Sequence, residues 1–300
     1  MRSSKLLRIG LSVVFAGLLC VSAVFALEVD PNLPSYEKVS GISGSIKSIG
    51  SDTLNNVMTL WSEGFRSLYP SVKIEIEGKG SSTAPPALIE GTSQFGPMSR
   101  QRKDKERDEF EKKFGYPPTL LRVGVDALAV FVNKDNPIKS LSLTQLDAIF
   151  SKNRKGGAAK DIVTWGDLGL EGEWADKPIS LYGRNAASGT YGYFKDVALF
   201  GGDYKDSVKE QPGSSAVVQG VASDKYGIGY SGVGYKTADV NIVPLSQEDG
   251  GEAFDTSAEN AYSGDYPLAR FLYVYVNKNP NEALDPLRAE FIKHLLSQQG

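Results

Sequence analysis

Two long apolar runs constrain this chain most: VGVDALAVFVNK (123–134) and its late echo ARFLYVYVNK (269–278). Each reads as a buried strand. Between them lie helix signals at 142–150, 188–200 and 215–224, and strand signals at 178–182, 227–230 and 240–245. Alternating strands and helices predict an α/β fold. Two long strands framing a central block predict two lobes joined by a two-strand hinge, with a cleft between them.

Folded structure is expected to start near Ser45 with the strand SIKSIG. In the next stretch, Leu54, Val57, Met58, Trp61, Phe65 and Leu68 follow helical spacing, and Pro70 ends the run. VKIEIE alternates as a strand does. GKGSSTAPPALIEG reads as a loop and a short helix with Pro85 and Pro86 in its first turn. Segment 100–113 mixes seven bases with five acids and reads as a solvated helix face rather than a basic patch. The last run, LDPLRAEFIKHLL, is an amphipathic helix.

The chain opens with a leader. Arg2, Lys5 and Arg8 precede an apolar run, 11–24, and the pattern predicts a secretory signal peptide, 1–26, cleaved after Ala26. Cys20 follows Leu19, where a lipoprotein signal has a small residue, so the lipoprotein reading is the weaker one. A periplasmic protein is expected. Residues 27–44, with Pro31, Pro34, Gly41 and Gly44, read as a linker. Cys20 is the only cysteine, so the mature chain has no disulfide or thiolate metal site. The signal holds three of the 33 basic residues and none of the 36 acidic ones, leaving 30 against 36, or −6. That argues against a general binder of nucleic acid or anionic membrane. It leaves room for one buried anion held by local dipoles.

Several chemistries lose support. The only histidine, His294, lies near the end in a lysine-flanked helix and reads as a surface residue. A Ser-His-Asp triad on Ser188 would need it close by. Zinc and transition-metal sites are not expected, nor is any cofactor. The one Ser-x-x-Lys match, Ser35 to Lys38, falls in the linker. GIGYSG (227–232) matches a dinucleotide fingerprint, but no helical pattern follows it, so it reads as a glycine-permissive strand and turn.

Three stretches share one design. GSDTLNN (50–56), GKGSSTAPP (78–86) and RNAASGTYG (184–192) each set glycine and hydroxyl residues just before a helix. A helix start exposes unsatisfied N–H groups and the positive end of its dipole. Small residues let an anion approach that backbone. Hydroxyls add donors, and Arg184 adds a fork of charge-assisted bonds. Any one start could be plain capping. Three of them beside an arginine point to a tetrahedral oxyanion.

These motifs in combination resemble the periplasmic phosphate-binding proteins of ABC importers, over essentially all of 45–300. The resemblance implies the two-lobed type II periplasmic binding protein fold. Lobe 1 would comprise 45–125 plus 270–300, and lobe 2 would comprise 126–269. It implies phosphate binding by Thr53, the Leu54 N–H, Ser81, Arg184, Ser188, Gly189 and Thr190. One departure lies in FGPMSR, where Ser99 stands in place of the family's proton-accepting Asp. Asp126, in the hinge strand, is the residue favoured for that role, and as a buried acid it needs a partner. Asp52 is the second choice, or a helix cap. Ser51 is an outer candidate, as are Ser214 and Ser215 before another helix, which read more readily as plain caps. The resemblance further implies a monomer that docks on an inner-membrane permease. The rival readings are a sulfate or molybdate receptor and an exported serine hydrolase or phosphatase.

Overall fold

A computed structural model describes residues 30–300. The predicted signal peptide and the start of the predicted linker lie outside the described residues.

Strand β1 (Gly44–Gly50) leads into helix α1 (Asn55–Leu68), which buries Met58, Trp61 and Phe65 at spacings of three and four. Strand β2 (Val72–Gly78) returns parallel to β1, with Ile74 opposite Ile46. Helix α2 (Ala84–Glu90) carries Pro85 and Pro86 in its first turn, where a missing N–H breaks no helical bond. A buried strand β3 (Phe95–Met98) follows. Helix α3 (Asp104–Phe114) buries Phe110 and leaves most of its charges outside, as a solvated face does. Strand β4 (Thr119–Asn133) begins four residues before the apolar run that announced it.

The chain continues through β5 (Leu141–Ser142), α4 (Leu143–Phe150), β6 (Ser180–Arg184), α5 (Gly189–Val197), β7 (Lys209–Gln211) and α6 (Ser214–Ser223). Then come β8 (Gly227–Gly232), β9 (Val240–Ile242), β10 (Leu245–Ser246), α7 (Ala258–Ser263), β11 (Ala269–Val276) and α8 (Pro286–Leu295). The glycine-rich GIGYSG is β8, buried throughout, with no helix following in the manner of a nucleotide fold. The single strand expected at 240–245 is two short ones, since Pro244 between them cannot donate to a ladder.

The main sheet runs β2-β1-β3-β11-β4-β8-β6-β7, with β9 added on β4. Strand β4 is its spine. Up to Ala127 it pairs with antiparallel β11, and from Leu128 it pairs with β8. Its packing changes at the same place. Leu121 and Val123 join one core, built on Phe65, Phe95, Val274 and Phe291. Leu128, Val130 and Val132 join another, built on Phe150, Trp165, Phe194 and Tyr230. Two cores threaded by two crossing strands make the two-lobed α/β architecture the sequence predicted.

Two readings need correction. The described part of the predicted linker is not a free tether. It has no helix or strand before Gly44, which opens β1, but Ile42 is buried, the Tyr36 hydroxyl meets that of Tyr69 at 2.7 Å, and Gln298 N–H donates to Pro34 O at 3.0 Å. His294 is not a surface residue. It is 2 % exposed, its ring set edge-on against Tyr36 and Phe65. It shares one buried helix face with Leu287, Phe291 and Leu295, and with Glu290, whose carboxylate accepts the Tyr36 hydroxyl at 3.0 Å.

Candidate anion-binding site

The three glycine-and-hydroxyl helix starts meet between the lobes. A short 3-10 turn, Asp52–Leu54, leads into α1, and another, Ser81–Thr83, leads into α2. Ser188 is the N-cap of α5, where its Oγ accepts the Thr190 N–H at 3.1 Å. Gly80 lets the second turn press on the third. Its φ is 104°, and a Cβ there would sit 2.5 Å from Ala187 O. The neighbouring Ser82 N–H donates to that oxygen at 3.1 Å.

The hydroxyls form one cluster. Thr53 Oγ1 lies 2.9 Å from Thr190 Oγ1, and Thr190 Oγ1 lies 3.5 Å from Ser99 Oγ. Ser99 Oγ is 3.2 Å from Ser81 Oγ, which also accepts the Ser99 N–H at 3.0 Å. Ser81, Ser99 and Thr190 are wholly buried. Gly189 packs so tightly on Ser81 and Ser99 that a Cβ would overlap the Ser81 hydroxyl. Leu54 turns its side chain into the first core, which leaves its backbone N–H as the group at the helix start.

Two guanidiniums flank the cluster. Arg184, 1 % exposed, donates to Ser214 Oγ at 2.7 Å and to Pro212 O at 3.3 Å, with the Asp52 carboxylate 3.2 Å away. Burial pulls its pKa below the ordinary arginine value and Asp52 opposes that, but a guanidinium stays charged. The second is Arg270, which sequence reasoning missed. It stands opposite Asp126 in the β4–β11 pairing, and its Nε and Nη2 donate to Asp126 Oδ2 at 3.1 and 2.8 Å. Nη2 also donates to Thr190 Oγ1 at 2.9 Å. Arg270 is thus the partner that a buried Asp126 required. The signal was present in the sequence as a second lone charge inside an apolar strand.

Asp52 does not cap its own helix. Its Oδ2 accepts the Ser214 N–H at 2.7 Å, so it caps α6 in the opposite lobe. Tyr235, whose pKa burial pushes up to about 12, donates its hydroxyl to Asp52 O at 2.7 Å. Ser51 is buried, and its N–H donates to Pro97 O at 2.7 Å. Of the two serines at the start of α6, Ser215 is exposed and Ser214 is buried against Arg184. His294 is held in the first core among Tyr36 and Phe65, so Ser188 has no histidine base. Among the described residues no group of histidine, cysteine, aspartate or glutamate could hold a metal ion.

Residues 37–299 match the family model of the PBP superfamily domain. The chain is 57% identical over 296 residues to the phosphate-binding protein PstS of Pseudomonas aeruginosa, covering 99% of this chain and 91% of that protein. It is 30% identical to the PstS of Staphylococcus haemolyticus over 86% of this chain and 78% of that one. In fold it is similar to a substrate-binding protein from Clostridium perfringens solved with bound phosphate, at TM-score 0.69 and 24% identity, over 84% of this chain and 93% of that one. The chain therefore belongs to the PBP superfamily, among the PstS phosphate-binding proteins.

Proposed function

We propose that the protein is a periplasmic receptor that captures inorganic phosphate between its lobes and delivers it to an inner-membrane ABC importer. The observation that carries this reading is the convergence of the Thr53, Ser81, Ser99 and Thr190 hydroxyls on one buried, interlobe cluster. The PstS relative at 57% identity supports the same ligand. The lobe boundaries we take are 45–125 plus 270–300 and 126–269, supported by the change of pairing and core along β4.

Thr53, the Leu54 N–H, Ser81 and Ser99 offer donors from the first lobe. Arg184, Ser188, the Gly189 N–H and Thr190 offer them from the second. Only the closed form supplies both sets, so the ligand shifts the population toward closure. Asp126 accepts a proton of the bound phosphate, and a carboxylate can only accept. Sulfate at neutral pH brings no proton and would set oxygen against oxygen. No bond of the ligand is made or broken, and the receptor works as a monomer with no nucleic-acid partner.

Titration calorimetry tests the reading. Phosphate binds at micromolar concentration, and equimolar sulfate leaves the isotherm unchanged. Absence of phosphate binding would sink the proposal, and displacement by sulfate would make this a receptor for fully ionised oxyanions. Asp126→Asn lowers phosphate affinity and narrows the preference over sulfate; an unaltered preference removes Asp126 from the role.

A further inference from the structure

Arg270 has a use beyond the hinge ion pair. Its guanidinium is planar and offers two forked edges. The edge formed by Nε and Nη2 is committed to Asp126 Oδ2. The second proton of Nη2 goes to Thr190 Oγ1, so the other edge, formed by Nη1 and Nη2, faces the hydroxyl cluster. On that edge Nη1 is buried and has no hydrogen-bond partner. The side chain is 4 % exposed, so bulk water does not serve it. A buried cationic donor left unpaired is costly. A strut that only tied β4 to β11 would need the Asp126 edge alone. Nη1 thus offers a free donor to one oxygen of a tetrahedral oxyanion, and the Nη2 proton now on Thr190 Oγ1 completes a fork to a second oxygen when the ligand takes the place of that hydroxyl.

We propose that Arg270 is a second guanidinium ligand of the bound oxyanion, presenting its Nη1–Nη2 edge while Asp126 holds the other edge in place. The proposal rests on the anion-receptor reading and adds a residue to it. It also gives Asp126 two functions, orienting Arg270 through Oδ2 and leaving Oδ1 for the ligand proton. Arg184 and Arg270 then grip the anion from different elements, one at the end of β6 and one on the hinge.

A double-mutant cycle read by calorimetry tests it with both phosphate and sulfate. Arg270→Gln should weaken phosphate binding about 10–100-fold, the loss of a charge-assisted fork. The same change in an Asp126→Asn background should still cost roughly tenfold or more. If Arg270 serves only to partner Asp126, that second loss vanishes, and the proposal is overturned. In the Asp126→Asn background, where the preference over sulfate narrows, sulfate carries no proton and so reads the arginine apart from proton recognition. A protein that binds sulfate but not phosphate overturns the phosphate reading while still testing Arg270. A protein that binds neither overturns both. Should Arg270→Gln fail to fold, Arg270→Lys decides: it keeps the charge and loses the fork, so about tenfold weaker binding with an unchanged melting temperature is expected. Wild-type affinity in that variant would overturn the proposal.

Discussion

The carboxylate of Asp52 reaches across the cleft to Arg184, with Oδ2 3.2 Å from Nη1 and 2.7 Å from the Ser214 N–H. One side chain of the first lobe thereby holds the second lobe's arginine and the start of its helix α6. Removing it leaves Arg184 buried without its counter-charge. Asp52→Ala should weaken phosphate binding roughly 10–100-fold. It should also enlarge the radius of gyration by small-angle scattering at subsaturating ligand. Unchanged affinity together with unchanged scattering would reject Asp52 as an interlobe clasp.

Gly189 is a point of close approach between the lobes. A Cβ there would overlap the Ser81 hydroxyl and lie 2.8 Å from Ser99 Oγ. Both hydroxyls sit in the opposite lobe, so the clash falls on closure and not on the folding of either core. Gly189→Ala should keep a wild-type melting temperature without ligand and lose about 100-fold in affinity. A folded variant with native affinity would show that the site tolerates a wider gap.

His294 makes stability depend on mild acid. Burial pushes its pKa below the ordinary 6.5, and Nδ1 has no partner. The unfolded chain therefore takes up the proton first as pH falls. The stability contributed by the neutral ring is present above pH 6.5 or so, and it is lost as pH drops through the lower folded value. Melting curves between pH 7.5 and 5 should fall more steeply for the wild type than for His294→Leu. Parallel curves would place the titration elsewhere.

Asp167 should act at lower pH by the same logic. Its carboxylate accepts from Thr164 N–H at 3.0 Å and Val163 N–H at 3.1 Å, and pairs with Lys160. Lys160 and these backbone donors hold its pKa well below the usual carboxylate range. Its contribution is complete above the unfolded value near 4 and disappears as pH falls through the folded one. Asp167→Ala should cost about 1 kcal/mol at pH 7, as loss of a cap does, with the gap to wild type closing only below about pH 4. Urea denaturation at several pH values measures it.

The strands and helices that were legible in the sequence are those whose periodicity is long. Strands β4 and β11 announce themselves as apolar runs, and α1 as a three-and-four pattern ended by Pro70. Strand β3 has four residues, two of them Gly96 and Pro97, and carries no periodic signal. The three helix starts were legible because each is local in sequence. Arg270 was not, because a lone charge in a strand takes its meaning from the register that sets it opposite Asp126. For His294 the signal existed and was outweighed by a neighbouring lysine: positions 287, 291, 294 and 295 trace one helix face, and Lys293 lies off it.

The pair of Arg270 and Asp126 also implies an order of events. Both stand on the strands that cross between the lobes, where a swinging body moves least. The donors of α5 and of the 3-10 turn before α1 ride on the lobes and travel. An arriving anion therefore meets a guanidinium already in position, and the hydroxyls close on it afterwards. Capture proceeds as attraction first and desolvation second. Added salt screens the local pull of the guanidiniums and the repulsion of the acidic chain alike, so it should change the bimolecular step and leave the unimolecular closing step nearly untouched.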